Sequence, residues 1–518
     1  MSTDKNNTDA FQELQQKLLP IWQSTLEDDA FSHTSVIVPS LSVDQEELAK
    51  VMGASFYEER LLFALIRLRN PNARLIYVTS QPVHPDIVDY YLQLLVGVPA
   101  AHAKRRLQLL CLYDASPRAL TAKVLERPRV LQRLRDAIAE HGPAYLTCYN
   151  TTMLEHRLAL ELGIPLNGVD PALLPLGTKS GSRQTFARAD VSHPAGFEDL
   201  RSEDDIVSAL QELARRRPGI RRAVIKINEG FSGEGNGVYR YPENTGDPAA
   251  IQTALQSLEW SSSQENISHF LNKYNEMGGI VEEMIEADEV RSPSVQLRIQ
   301  PNGKVVLISS HEQVLGGSTG QVYLGCRFPA DDEYRNLLLE QGLRIGEVLS
   351  QQGVIGRFGI DFLLSRDHGG EWQSNALEIN LRMGGTTPPF HALEFLTSGE
   401  LDPCTGVFRT PDGQEKYYSA TDNLKSSAYR GLLPEDLFDI IIRHNIHYRP
   451  ASGTGVLFYM IGALSQFGKL GMTCIGNTPE ESDELFRRTV ALLDRETDQG
   501  DAAHGELGPL FDNNVTME

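Results

Sequence analysis

A chain of 518 residues is too long for one hydrophobic core, so about two to four domains are expected. Its 69 acidic residues against 48 basic ones give a net charge of −21, a surface that repels phosphate backbones and argues against nucleic acid as a partner. The longest apolar runs, Leu61–Leu65 and Gly455–Leu464, fall well short of a membrane span, and Met1–Asn7 has no basic flank leading into an apolar segment; no membrane partner, no signal peptide and a cytoplasmic location are expected.

Residues 1–34 read as a helical lead-in, with Phe11, Leu14, Leu18 and Leu19 at helical spacing. From 35 to 175, short apolar strands (36–38, 74–79, 107–113, 144–147) alternate with helical patterns at 87–95, 119–141 and 153–162. That alternation predicts a doubly wound α/β domain, and without a GxGxxG after its first strand it carries no dinucleotide fingerprint. From 176 to 399 the pattern becomes α+β: helices at 180–190, 203–216 and 333–351, and strands at 223–227, 279–285, 293–300, 304–311, 357–364 and 374–381. Residues 400–497 read as a small C-terminal α+β unit whose last helix, 479–495, opens on Thr478-Pro479-Glu480-Glu481, a threonine cap with proline at the first position. The acidic tail 498–518 reads as disordered.

Five cysteines (Cys111, Cys148, Cys326, Cys404, Cys474) stand singly with no CxxC, which fits buried thiols in a reducing compartment. His444 and His447 lack acidic or cysteine partners at ligand spacing and read as structural, and no HExxH or GxSxG is present. In the basic run 215–222, the first arginines fall at the C-terminal turn of the helix 203–216, where cations are favoured.

Three stretches carry chemistry. In the first, Lys226 sits in the apolar strand 223–227, and a glycine-rich loop follows with Gly230, Gly233, Gly235 and Gly237. Such a loop lets backbone N–H groups converge on a phosphate, although a flexible hairpin turn has the same composition and no GxxxxGK[ST] is present. In the second, the strands around Asp361 and Glu378 flank the turn-forming stretch 365–374. A hairpin centred on Gly369-Gly370 sets Asp361 opposite Glu378, with Asn380 on the same face. Three oxygen-bearing groups so placed suit Mg²⁺; a solvated polar face of an edge hairpin would look the same. In the third, the apolar strand 280–285 runs into the acids Glu286, Asp288 and Glu289, whose default reading is solvated charge. Arg298, Arg357 and Arg382 punctuate this region, and each could clamp a phosphoryl oxygen or a substrate carboxylate, or pair with a neighbouring acid. The glycine-rich stretches 316–320 and 383–387 could approach a reacting phosphoryl group.

Taken in order, these pieces resemble the ATP-grasp superfamily, and over 35–500 they look most similar to the pheganomycin-type peptide ligases. The resemblance rests on Gly177-Thr178-Lys179-Ser180-Gly181-Ser182-Arg183, Lys226 with Gly230–Gly237, Val281–Ile285, His311-Glu312-Gln313-Val314 and Leu377-Glu378-Ile379-Asn380-Leu381-Arg382-Met383-Gly384-Gly385. It implies a pre-ATP-grasp α/β domain over 35–175, an ATP-grasp domain over 176–399 with its lid subdomain at about 176–278, and a C-terminal domain over 400–497.

It further implies that Lys179 and Lys226 contact the ATP phosphates and that the backbone of Gly233–Gly237 closes over them. Glu283 and Ile285 would meet adenine and Glu289 the ribose, an assignment that the several neighbouring acids could shift by a few positions. Asp361, Glu378 and Asn380 would hold one or two Mg²⁺ ions, and Arg382 would stabilise the transferring phosphoryl group. The implied reaction is activation of a small-molecule carboxylate donor as an acyl phosphate, followed by attack of an amine or peptide acceptor. Carboxylation, thioester formation and ATP binding without catalysis are the alternatives.

Overall fold

The computed structural model describes residues 2–230, 235–244, 247–260, 266–316 and 322–497. The acidic tail from 498 and most of the 316–320 stretch lie outside them. The lead-in forms two helices, Ser2–Gln15 and Leu18–Glu27; Phe11 and Leu14 of the first are buried.

The N-terminal domain is a parallel sheet of β1 (Thr34–Val38), β2 (Arg74–Thr79), β3 (Leu107–Cys111) and β4 (Ala144–Cys148), ordered β3-β2-β1-β4. Val36, Ile37 and Val38 are all fully buried, as expected for a strand covered on both faces. The expected helix 119–141 is two, Leu120–Leu125 and Pro128–Ala139. Pro128 takes the first position of the second, where its missing N–H costs nothing. A 3₁₀ run over Ala54–Arg69, carrying the buried Leu61–Leu65, packs onto this domain and supplies Arg67.

A second sheet, called the lid after the segment expected to form one, is antiparallel and consists of β5 (Gly196–Leu200), β6 (Arg222–Ile227), β7 (Asn236–Arg240), β8 (Glu259–Trp260) and β9 (Gly279–Glu283), ordered β5-β9-β6-β7-β8. Its own core contains Ile206, Leu210, Ile225 and Tyr274.

The central sheet contains β10 (Glu289–Arg291), β11 (Pro293–Ile299), β12 (Val305–Gly316), β13 (Val322–Phe328), β14 (Gly356–Arg366) and β15 (Gln373–Asn380). Past a small pair, β16 (Glu400–Leu401) with β17 (Phe408–Arg409), three further strands extend it: β18 (Tyr417–Lys425), β19 (Gly455–Tyr459) and β20 (Lys469–Gly476). Residues 400–497 therefore continue the central sheet by pairing β13 with β18, and the sequence boundary near 400 does not separate two sheets. The even positions of β14 (Phe358, Ile360, Phe362, Leu364) are buried in a core shared with Leu338, Ile345 and Leu349 of the helix Arg335–Gln351. Its odd positions, Arg357, Gly359 and Asp361, therefore share the opposite face. Among the described residues no helix is long and apolar enough to cross a membrane.

Candidate active site

Antiparallel pairing of β14 with β15 sets Asp361 directly opposite Glu378, and Gly359 opposite Asn380. A bulge then shifts the register, so that Phe362 faces Ala376. The irregularity explains how the turn closes nearer to Gly369 while the acids still meet: the extra residue is taken up beside Leu377. Asn380 Nδ2 donates to Asp361 Oδ2 at 2.9 Å, and Gln313 Nε2 of β12 donates to Asp361 Oδ1 at 2.6 Å.

Burial and the facing Glu378 push the Asp361 carboxyl up to about 6, against the pull of Gln313, Arg382 and Lys179. Burial pushes Glu378 in the same direction, but Lys179, Arg382 and Lys226 outweigh it and hold this carboxyl below its ordinary value. Two acids and a carboxamide on adjacent strands, with one acid resisting ionisation because it is buried and faces the other, form a hard-oxygen donor set that fits Mg²⁺.

Lys179 is the first residue of the helix Lys179–Arg188, capped by the Thr178 side chain, which accepts from Gly181 N–H. A side chain at Gly181 would collide with the Pro175 carbonyl, with a built Cβ 2.0 Å away, so only glycine lets the helix start this close to the preceding turn. Ser182 Oγ accepts from Ile379 N–H at 3.0 Å, fixing the helix beside β15. Lys179 Nζ thereby reaches Glu378 Oε1 at 2.5 Å.

Asn228, just past β6, ties the same helix to the lid: its Oδ1 accepts from Ser180 N–H at 2.9 Å and its Nδ2 donates to Met277 O at 3.0 Å. Lys226 Nζ lies 2.5 Å from Glu282 Oε1, and the buried Glu282 also meets Arg183 Nη1 at 3.2 Å. Lys226 still acts on Glu378 through its charge, so lid and central sheet face a common space. Gly235 has a φ of +76°, and a side chain there would strike Ile227; Gly233 lies outside the described residues. A side chain at Gly237 would press on Leu258 and Trp260.

At the end of β9, Glu283 Oε1 accepts from Ala195 N–H at 2.9 Å and its Oε2 lies 3.0 Å from Arg217 Nε. Ile285 follows β9 in irregular backbone. Glu289 is gripped by Arg366 Nε and Nη2 at 2.9 and 3.0 Å, at the far end of β14 from Arg357. The basic run is likewise paired, Arg215 and Arg216 with Glu212, Arg221 and Arg222 with Glu286. His444 meets Glu496 at 2.6 Å. All five cysteines are free.

Arg298 and Arg357 are cross-strand partners of β11 and β14, and with Arg382 they line a cavity of about 200 Å³ against the N-terminal domain. Gln313, Asn228, Glu282 and Arg67 complete the surroundings of the cleft, and none is a site residue that the sequence reading assigned. Gln313 belongs to the stretch His311-Glu312-Gln313-Val314, but its reach to Asp361 depends on a third strand.

Residues 173–240 and 249–404 match the family model described as IQCH-like, ATP-grasp, and 436–489 match that of the PGM1 C-terminal domain. The chain is 31% identical over 470 residues to the L-propargylglycine--L-glutamate ligase of Streptantibioticus cattleyicolor, covering 89% of this chain and 94% of that protein. It is 24% identical over 515 residues to IQ motif-containing protein H of Danio rerio, and spans about half of that protein's length, 48%. In fold it is similar to the biotin carboxylase of Campylobacter jejuni solved as a β-γ-ATP complex, with a TM-score of 0.54 at 12% identity, covering 91% of this chain and 96% of that one. With its sheets, its lysines and its opposed acids so arranged, this chain belongs to the ATP-grasp family.

Proposed function

We propose that the protein is an ATP-dependent carboxylate–amine ligase that forms an amide or peptide bond and releases ADP and phosphate. The observation that carries this reading is one space shared by two acids and a carboxamide of the central sheet and the charges of two lysines. The likeness to an amide-forming ligase over nearly its whole length supports it.

In this reading Lys179 and Lys226 neutralise the ATP phosphates, swinging from carboxylates they already touch. The backbone around Gly235 and Gly237 closes over those phosphates. Glu283 and Ile285 border adenine; Glu289, already gripped by Arg366, meets the ribose through its remaining lone pairs. Asp361, Glu378 and Asn380 would hold one or two Mg²⁺ ions, which when bound would supply positive charge to offset the negative charge of phosphoryl transfer. Arg382 orients the donor carboxylate and stabilises the transferring phosphoryl group. The amine then attacks the acyl phosphate and phosphate departs. The chain supplies position and charge, with no side-chain nucleophile. A cytoplasmic location fits the five free thiols.

The test is ADP release from purified full-length protein with Mg·ATP, screened over amino acids and peptides, with mass spectrometry of the products. An amide product whose formation tracks ADP is expected. A chain that binds ATP yet releases no carboxylate-dependent ADP would not be a ligase.

A further inference from the structure

The cleft face of β14 changes sign along its length. Asp361 pairs with Ser294 and Glu378, Gly359 with Gln296 and Asn380, and Arg357 with Arg298. The arginine row stands four residues from the acid row, roughly 13 Å at about 3.3 Å per residue.

Two guanidiniums directly across neighbouring strands repel, as like charges in such pairs do. A third, Arg67, reaches the same cavity from the 3₁₀ run, and Arg382 also lines it. Among the described residues no carboxylate lies within ion-pair distance of Arg67, Arg298 or Arg357. Arg67 donates to the Ser35 and Thr147 hydroxyls, and Arg298 donates to Asn167 Oδ1 at 3.3 Å.

The acid that acts on the cluster is Glu394, and His391 Nδ1 holds it at 2.6 Å. Burial, eased by Glu394 but aggravated by Arg298 and Arg67, pushes Arg357 down to about 10, and burial likewise lowers Arg298. His391 is pushed down to about 4 by burial and by Arg357, so it adds no charge near neutrality. Three guanidiniums, Arg67, Arg298 and Arg357, near one already engaged carboxylate make a chamber that is short of anions. Planar arginine forks suit a carboxylate in two-point contact. At about 200 Å³ the cavity is smaller than the pocket of a drug-sized ligand (about 300–1,000 Å³), which limits the occupant to amino-acid size.

We propose that Arg67, Arg298 and Arg357 bind a second, non-reacting carboxylate of the donor, so that the acid activated beside Arg382 is a small dicarboxylate of the acidic-amino-acid class. Which of the two carboxylates reacts rests on the ligase reading above; the anion chamber does not. A neutral donor would leave the three guanidiniums facing one another with nothing between them, whereas a diacid of a few carbons reaches from the chamber towards the acid row.

The experiment has two arms. Calorimetry on the full-length protein with Mg·ADP compares glutarate, its mono-amide glutaramate, and inorganic phosphate. Glutarate is expected to bind at least tenfold more tightly than glutaramate, with Arg357→Gln and, independently, Arg67→Gln from the other domain reducing that ratio towards one. Equal binding of diacid and mono-amide, an unchanged ratio in well-folded variants of both arginines, or binding of phosphate alone would overturn the proposal. The second arm measures ADP release with glutamate against glutamine, and aspartate against asparagine. Should ADP form with no acid-over-amide preference, the chamber proposal falls and the ligase reading stands. Should glutarate bind in an Arg357-dependent way while no carboxylate supports ADP release, the ligase reading falls and the chamber stands.

Discussion

The two ends of the β14 cleft face gather like charges by opposite means. At the Asp361 end two acids meet, and lysines brought by the helix Lys179–Arg188 and by the lid temper them. At the Arg357 end guanidiniums meet, and one acid, already held by a histidine, tempers them. Burying like charges side by side is unfavourable unless something of opposite sign shares the space. Each end is thus complementary to a ligand of its own kind, cation and phosphate at one, organic anion at the other.

The sharpest way to break this contrast is Glu378→Ala. It removes one of two opposed acids and releases Lys179 from its 2.5 Å contact. Carboxylate-dependent ADP release is expected to fall by about 10²-fold to 10³-fold, the order seen when one charge-stabilising group is lost from an active site. Circular dichroism should be unchanged, because the strand and its buried Ile379 remain. Turnover within tenfold of wild type would remove the acid pair from the chemistry.

Lys226→Met tests the lid's contribution to the same end. Glu282 keeps Arg183 at 3.2 Å, so the buried acid is not stranded. The KM for ATP should rise by about 10-fold to 100-fold, as expected for the loss of a charged partner of a phosphate, about 1.5–3 kcal/mol. A KM for ATP that does not move would place Lys226 outside the nucleotide site.

How much of this was legible in the sequence differs between the two ends. The acid end was readable because strand alternation and a two-glycine turn fix which residues face each other, and Asp361, Glu378 and Asn380 lie within twenty residues along the chain. Even there the register depended on a bulge that the sequence does not announce. The arginine end was only half readable. Arg298 and Arg357 stood out singly, but their pairing needs β11 placed against β14, and Arg67 comes from a 3₁₀ run that has no simple periodic signature. The continuation of the central sheet into β18–β20 was hidden for the same reason: strand neighbours separated by about ninety residues leave no local trace.

Gly359→Ala probes the ground between the two rows. The glycine lies between Arg357 and Asp361 on the cleft face, and an added Cβ would come 2.7 Å from Gln296 Nε2, the movable tip of a side chain. The protein should therefore fold, while a methyl group in the path between the anion chamber and the acids raises the donor KM by about tenfold, the effect of one misplaced methyl group in a fitted site. ATP affinity, measured by nucleotide titration, should stay unchanged. A loss of ATP affinity instead of donor affinity would mean that the two ends do not serve separate ligands.

Glu59→Gln carries the comparison to acids that face no ligand. Glu59, on the 3₁₀ run Ala54–Arg69, is buried against the C-terminal region, accepts from Gly462 N–H at 3.0 Å, and is pushed up to about 7 by burial against the pull of the Gly462 and Ile461 amides. A carboxyl whose folded value is raised stabilises the fold while both states are protonated, below pH about 4.5, and loses that contribution as pH rises through about 7. The shift corresponds to roughly 3 kcal/mol at about 1.4 kcal/mol per unit. Stability should accordingly decline between pH 5 and 8 in the wild type, and Glu59→Gln, which keeps an oxygen for Gly462, should flatten that decline. A melting temperature a few degrees above wild type at pH 8, and close to it at pH 5, is the expected reading by calorimetry. Where no cation or ligand is available to share the space, a buried acid is settled by a proton, and parallel pH profiles for the two proteins would show that Glu59 is settled in some other way.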